Sequence, residues 1–344
     1  MSEVKHNAIK YPSTAQFRNV VQHIKNVYQY KSLDEDGNPI IDQSVELPKV
    51  EYQGTVKIHG TNGSLVMFED GKIYCQSKER MLAFGCDNAG FLEAMQSVDL
   101  NNLFDIVKKD YYAANGVEVT YPIIISGEWA GSNIQKSVAV NGLHKFFCIF
   151  GVKVGDNWQP LDDYADLKDT ENYIFNSLQF ETYSVVIDFN NPLDIQNKLI
   201  EITESVEAEC PVGKSFGNVG IGEGVVWKPL YRELVADSGS WFKVKGEKHS
   251  SSKVKKLASV DTEKLESIKE FVGYACTESR LEQGIQEIGL DIKLVGDYIG
   301  WVNRDIFKEE ADTLKDNNLE MRDVGKDIAN VSRNFYINKI NENI

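Results

Sequence analysis

Residues 50–244 consist mainly of short strand-like segments, and beyond residue 256 the apolar residues follow a helical period. The segments are rich in β-branched and aromatic residues and are separated by turn-forming residues. In residues 66–75 an Asp-Gly pair predicts the tight turn of an antiparallel hairpin. We therefore predict the α+β class, with a domain of antiparallel sheets and flanking helices followed by a small all-α domain.

The predicted elements divide the chain into two parts. Strands are predicted at residues 50–56, 64–68, 121–128, 145–154, 180–188 and 224–227. Helices are predicted at residues 14–28, 90–109, 290–311 and 321–340, with one more capped by Asp261 or Thr262. The lysine- and serine-rich residues 248–256 separate the two patterns and predict domains at residues 1–247 and 257–344.

Charge and apolar content exclude several classes of protein. The formal net charge of −15 argues against nonspecific coating of nucleic acid, which depends on positive charge. Residues 242–256 nevertheless hold six lysines against one glutamate, a local basic track suited to phosphates. No apolar run reaches membrane-spanning length and residues 1–10 lack a signal core, so we expect a cytoplasmic protein with no membrane partner. The five cysteines are scattered without zinc-site spacing and are interpreted as reduced thiols.

Lys57 is the first candidate for covalent chemistry. It ends a β-branched run and is followed by Gly60, so it lies where a strand meets a tight turn. An amine attacks phosphorus only when unprotonated, and the ordinary lysine pKa of about 10.4 must be depressed by burial, cations or a metal. The alternative is a surface lysine, because the pattern Lys-x-x-Gly recurs at Lys214, Lys243 and Lys293.

Motifs with complementary chemistry follow Lys57 in order, at residues 77–80, 126–129, 146–152, 222–228 and 241–246. Lys243 and Lys245, two apart on a strand, face the same way and could both meet a triphosphate. Glu128 and Glu223 adjoin glycines at strand ends, where they could accept from ribose hydroxyls or hold water-ligated Mg²⁺. Phe150 offers a flat face to a purine base. These are the parts that nucleotidyl transfer requires.

Each motif alone has a structural explanation. The aromatic residues of 146–150 could be core, and Glu223 between two glycines could belong to an ordinary turn. Lys243 and Lys245 could protect an exposed edge strand from pairing. The functional interpretation depends on the motifs occurring together and in order.

The ordered strings resemble the covalent nucleotidyltransferase superfamily of ligases and capping enzymes, with an ATP-grasp-like ligase domain. They are KIHGTN at Lys57, GEWAGSNIQKSV at Gly127, EGVVWKP at Glu223 and FKVKGEKHSSSKVKK at Phe242. The series is most similar to the phage RNA ligase 2 type, related to kinetoplastid editing ligases. The C-terminal string FVGYACTESRLEQGIQEIG also resembles that family's helical domain.

The resemblance implies an ATP-dependent RNA ligase that joins 3′-hydroxyl and 5′-phosphate ends, or seals a nicked duplex. Lys57 would take AMP from ATP, and the AMP would then activate the 5′-phosphate. The implied nucleotide-binding residues are Ile58, Glu128, Phe150, Glu223, Lys243 and Lys245. The implied nick and phosphate contacts are His59, Asn62, Lys78 and Lys228, with Arg80 an alternative to Lys78. Glu128 and Glu223 would hold Mg²⁺, or Mn²⁺ in its place, through water.

Two positions depart from the family, and other functions stay open. Val56 stands where close relatives carry glutamate, and Gly151 where relatives often carry aspartate, which removes a base contact and weakens one used in sealing. A DNA ligase, a GTP-using capping enzyme and a non-catalytic RNA-end-binding protein are the alternatives. No β-barrel domain is predicted after Lys245, which argues against the first two. We expect a monomer, in the host cytoplasm if a phage encodes it.

Overall fold

The computed structural model describes residues 6–33, 39–246, 268, 271–316 and 319–342. The chain divides into two compact units, residues 1–248 and 249–344. The predicted boundary stretch 248–256 and the cap at Asp261 or Thr262 lie outside the described residues. The predicted domain bounds, 1–247 and 257–344, therefore remain predictions.

The first unit is built mainly from strands. They are β1 (Ala15–Gln16), β2 (Tyr30–Leu33), β3 (Pro39–Ile41), β4 (Lys49–Lys57), β5 (Thr61–Met67), β6 (Ile73–Ser77), β7 (Ile123–Ala130), β8 (Phe146–Val154), β9 (Asn157–Gln159), β10 (Ile174–Asn176), β11 (Thr182–Asp188), β12 (Gly224–Pro229) and β13 (Phe242–Lys245). Its α-helices are α1 (Phe17–Gln29), α2 (Phe91–Gln96), α3 (Asn101–Asn115), α4 (Gln196–Ala208), α5 (Pro211–Ser215) and α6 (Arg232–Ala236).

Two sheets form the frame of this unit. The first has the strand order β1-β13-β12-β4-β11, and the second has the order β10-β8-β7-β5-β6 with β9 beside β8. Neighbouring strands are antiparallel except at β1 with β13 and β10 with β8. The predicted α+β class with antiparallel sheets is confirmed, as is the hairpin at the Asp-Gly turn, now β5–β6.

The alternation of residues along β4 decides which side chains face the hydrophobic core of the first sheet and which face away from it. Tyr52 and Val56 point into a hydrophobic core that includes Phe242, whereas Thr55 and Lys57 are only partly buried on the opposite face. The second sheet has a separate core around Phe91, Phe104 and residues of β7 and β8. Successive strand residues face opposite ways, so a partly buried lysine and a core valine can be neighbours in sequence.

Helix α4 is an element that the strand-dominated prediction omitted. Its buried residues Leu199, Ile202 and Val206 recur at helical spacing and pack in the core of the first sheet. The predicted helix at residues 90–109 is two helices, α2 and α3, separated by residues 97–100. Both helices contribute buried residues to the core of the second sheet.

The second unit is helical, as predicted. Its described helices include Glu278–Ile288, Val295–Glu309, Ala311–Asp316 and Met321–Glu342. Tyr298, Ile306 and Tyr336 are fully buried in a core of its own. Among the residues that the structure describes, no helix combines the length and apolar character needed to cross a membrane.

Candidate active site

The string KIHGTN is the crossover between the two sheets. Lys57 is the last residue of β4 in the first sheet, and Thr61 is the first residue of β5 in the second. Only residues 58–60 connect the two strands. A Cβ atom added to Gly60 would lie 2.3 Å from the Trp129 carbonyl oxygen, so this close passage requires glycine. The motif thus brings groups from both sheets to one place.

Strand register aligns Lys57 with the last two motifs. Gly224 of β12 lies opposite Lys57 on one side and opposite Lys245 on the other. Gly224 has φ +150, and a Cβ atom there would lie 2.2 Å from the Val244 carbonyl oxygen. The glycine therefore allows β12 and β13 to approach closely at the residue that follows Glu223.

Glu223 is the centre of the charged cluster. Its side chain is 2% exposed, and its Oε2 lies 2.6 Å from Lys57 Nζ and 3.2 Å from His59 Nδ1. Its Oε1 lies 3.1 Å from Lys245 Nζ. Burial raises the pKa of Glu223, but the positive charges of Lys57 and Lys245 outweigh burial and hold the pKa well below its usual range. Glu223 therefore stays ionised and holds the end of Lys57 in place.

Lys243 belongs to the same group of charges. Burial lowers the pKa of Lys245, and the nearby charges of Lys57 and Lys243 lower it further, whereas Glu223 opposes the shift. The Lys245 ammonium group is thus near enough to Lys57 and to Lys243 to be repelled by both. Such a set favours a polyanion such as a triphosphate.

Glu128 brings the second carboxylate to the cluster from β7. Its Oε1 accepts a hydrogen bond of 3.0 Å from the Gly60 backbone N–H. Burial raises the pKa of Glu128 to about 7; the Lys57 charge lowers it and the Glu223 charge raises it. Both glutamates therefore act electrostatically on one another at the crossover.

Phe150 occupies a β-bulge. Ser126 pairs with Gly151 and Gly127 pairs with Ile149, so Phe150 is the extra residue of β8. Its ring is partly exposed. A bulge redirects a side chain without interrupting the strand, and bulges are frequent beside active sites.

Lys228 lies next to Phe150. Its Nζ donates a 2.8 Å hydrogen bond to the Phe150 carbonyl and lies 4.2 Å from the centre of the Trp241 ring. Burial lowers the pKa of Lys228 to about 7. Both residues line a small cavity whose other walls are Gln53, Thr55, Pro160, Leu161, Asp162, Pro229, Leu230 and Val235.

The other predicted site residues are Asn62, Lys78 or its alternative Arg80, and Ile58. Asn62 pairs with Glu128 across β5 and β7, and its Oδ1 is buried with no hydrogen-bond partner among the described residues. The charge of Lys78 lowers the Glu128 pKa, whereas the Arg80 guanidinium donates to the Asp87 carbonyl. Lys78 is therefore the better placed of the two alternatives. Ile58 points into the core and is 7% exposed, so only its backbone is available to a nucleotide.

The two glutamates have the chemistry of a weakly held magnesium site. Within the described ranges no group of three or more His, Cys, Asp or Glu side chains could hold a metal ion. Mg²⁺ usually keeps several waters and is held by one or two carboxylates together with substrate phosphates. Glu128 and Glu223 fit such a partial set.

Three aromatic residues of this region were not predicted as site residues. Tyr11, Trp158 and Trp241 surround Lys228 and Phe150. Trp241 is the first residue of the motif at residues 241–246, but Tyr11 and Trp158 lie outside every motif. Only the folded arrangement brings them together.

Comparison with known proteins gives one family. A family model described as RNA ligase matches residues 50–245. No curated protein was found to match the sequence.

Solved structures of an RNA ligase from Naegleria gruberi are similar to this chain. A mutant with ATP and Mn shares 13% sequence identity over 70% of this chain and 57% of that chain, with a TM-score of 0.42. The complex with PPi shares 13% identity over 72% of this chain and 60% of that chain, also with a TM-score of 0.42. This chain thus spans less than two thirds of the length of those relatives.

Proposed function

This chain belongs to the RNA ligase family, and from that membership we propose that it is an ATP-dependent enzyme joining RNA ends. The ends would be a 3′-hydroxyl and a 5′-phosphate. The observation that carries the proposal is the buried Glu223 carboxylate, which contacts Lys57, His59 and Lys245 at once. A nucleophile held beside phosphate-binding cations is the arrangement that nucleotidyl transfer needs.

In the proposed first step Lys57 Nζ leaves its pair with Glu223, loses its proton and attacks the α-phosphorus of ATP. The new bond joins nitrogen to phosphorus, the bond from the α-phosphorus to the bridging oxygen breaks, and pyrophosphate departs. A second proton leaves the nitrogen, which gives lysyl-AMP. Lys243 and Lys245 neutralise the phosphates, whose departure requires charge stabilisation more than covalent help.

In the next two steps AMP moves from Lys57 to the RNA. An oxygen of the 5′-phosphate attacks the AMP phosphorus and the nitrogen–phosphorus bond breaks, so the lysine regains its protons. The 3′-hydroxyl then attacks the 5′-phosphate, forms the phosphodiester and releases AMP and a proton. Asn62 and Lys78 are proposed to hold the nick, since Asn62 Oδ1 is a buried acceptor with no partner in the described part of the chain.

Phe150 is proposed to stack on adenine, with Glu128 accepting from the ribose. The position of Phe150 at the bulge, where the residue is partly exposed, supports this assignment. Lys228 was predicted to contact the nick, and its hydrogen bond to the Phe150 carbonyl supports a role in fixing the bulge as well. Val56 is buried in the core, so it offers no polar contact to the base.

Mg²⁺, or Mn²⁺ in its place, is proposed to be held through water by Glu128 and Glu223. When bound, it would neutralise charge on the phosphates. We also propose that the enzyme is a cytoplasmic monomer of the RNA ligase 2 phage type that acts on RNA ends or nicked duplexes.

The test is a sealing assay on matched nicked duplexes with RNA or DNA at the 3′-hydroxyl side. We expect sealing with ATP and a divalent cation, and preference for the RNA strand. Preference for GTP, or efficient sealing of an all-DNA nick only, would contradict the proposal and favour a capping enzyme or a DNA ligase.

A further inference from the structure

The segment before β1 links the two sheets. Residues 6–14, here called the N-terminal strap, lie outside the range matched by the family model. At one end the strap is fixed to the β5–β6 hairpin of the second sheet. Ile9 N–H donates 3.0 Å to Gln76 Oε1, and Gln76 Nε2 donates 2.6 Å to the Ile9 carbonyl. Gln76 is fully buried, so loss of these two bonds would leave its amide unpaired, and the pair anchors the strap.

Two more contacts hold the same end of the strap. The His6 ring stacks on Phe68 at 3.7 Å between centroids. Lys10 Nζ lies 2.5 Å from Glu79 Oε2 at the surface. Beyond the strap, Ala15 and Gln16 pair with β13 of the first sheet. The strap therefore crosses from the second sheet to the first.

Tyr11 lies at the middle of this crossing. Its ring makes edge contacts with Phe150 and Trp158, each at 5.0 Å between centroids, and lies 5.9 Å from the Trp241 ring. Phe150 comes from β8, whereas Trp241 directly precedes β13. Tyr11 thus packs edge-to-face with Phe150, the partly exposed residue of the bulge.

Tyr11 also feels the charge of Glu128. Burial raises the pKa of the Tyr11 phenol, and the Glu128 charge raises it further. Lys228 Nζ lies 5.9 Å from the centre of the Tyr11 ring, so Tyr11 contacts the same lysine that bonds the Phe150 carbonyl. Edge-to-face pairs at these distances contribute beyond simple burial.

We propose that Tyr11 is a positioning residue of the nucleotide site, which fixes the Phe150 ring for stacking on the base of ATP. This inference rests on the proposed function. The strap supplies the Tyr11 ring from outside residues 50–245, the range that the family model matches. Its anchor at Gln76 keeps the Tyr11 ring packed against Phe150.

The test compares variants in self-adenylylation over a range of ATP concentrations. For Tyr11→Leu and Tyr11→Ala we expect the half-saturating ATP concentration to rise about three- to tenfold, the equivalent of one aromatic pair, with a smaller change in maximal rate. Tyr11→Phe should restore the wild-type value because it keeps the ring. Inhibition by inorganic tripolyphosphate, which has no base, should stay within about twofold of wild type in every variant.

The matched control is Tyr111→Leu, which removes a partly buried tyrosine from the core of the second sheet. It should lower stability without changing the response to ATP. The inference would be overturned if Tyr11→Leu weakened the binding of ATP and of tripolyphosphate equally, or changed neither. It would also be overturned if Tyr11→Phe did not restore the wild-type half-saturating ATP concentration. Absence of an adduct in the wild type would instead overturn the proposed function.

Discussion

Glu223 shows how one residue can serve both stability and chemistry. It is buried, yet it is ionised because lysines from β4 and β13 meet it. The string around Glu223 was readable from the sequence, but its contact with His59 was not. That contact depends on the chain turning at Gly60, which becomes visible only when β4 and β5 are assigned to different sheets.

Replacing Glu223 with Gln should destabilise the protein at neutral pH. The change leaves partly buried cations unpaired, and breaking a buried pair typically costs about 3–5 kcal/mol. Because the Glu223 pKa is depressed, its contribution is present at neutral pH and is lost as pH falls below the usual glutamate range. Urea unfolding measured at pH 7 should show the loss, whereas Glu204→Gln on the exposed face of α4 should not. Equal stability of both variants would count against this role.

Glu128 should give the opposite dependence on pH. Its pKa is raised to about 7, so the folded protein keeps a proton that the unfolded chain releases, and stability falls as pH rises from about 4.5 to 7. Glu128→Gln keeps the acceptor for Gly60 N–H and removes the buried charge. We expect it to be more stable than wild type at pH 8 by about 1–3 kcal/mol, with a smaller difference at pH 5.5. The melting temperature measured at both values tests this, and a pH-independent difference would contradict it.

At the scale of elements, the strands were predictable and their irregularities were not. Runs such as β4, β7 and β8 have the β-branched composition that predicts a strand. The bulge at Phe150 is set by pairing between β7 and β8, which no single segment encodes. Helix α4 had a readable apolar period but was overlooked because its neighbours are strands and short turns.

The bulge leads to a prediction about Gly151. A Cβ atom there would lie 3.4 Å from the Trp158 ring and 3.5 Å from Lys228 Nζ, so aspartate fits and can pair with Lys228. In the wild type the Lys228 pKa of about 7 lies below its unfolded value, so the unfolded chain binds more protons and stability rises with pH between about 7 and 10. Gly151→Asp should flatten this rise by favouring the ammonium form.

Gly151→Asn is the matched control, since it adds similar bulk without charge. Melting temperatures from pH 7 to 9.5 should keep the wild-type slope in Gly151→Asn and lose it in Gly151→Asp. The same slope in both variants would show that the new carboxylate does not reach Lys228.

At the scale of the whole molecule, the two units have separate cores. The cores of the sheets contain only residues from the first unit, and the helical core contains only residues from the second. The change from strand to helical pattern predicted the helical character of the second unit. The path of the chain between the units could not be predicted, because residues 248–256 have neither periodicity.

A chain ending at residue 246 should keep self-adenylylation and lose most nick sealing. All residues proposed for nucleotide transfer lie in the first unit, whereas a duplex extends beyond one cleft. Rates of both steps, measured on the same preparation with pre-adenylylated RNA as a second substrate, test this expectation. Equal loss of the two activities in a folded truncation would contradict it.

The most direct test of the central claim is the intact mass of the purified protein before and after ATP with Mg²⁺. We predict a gain equal to one AMP that pyrophosphate reverses, with no gain in Lys57→Ala. Prior treatment with pyrophosphate removes any AMP already attached. An unchanged mass in the treated wild type, or an equal gain in Lys57→Ala, would contradict lysyl-AMP formation at Lys57.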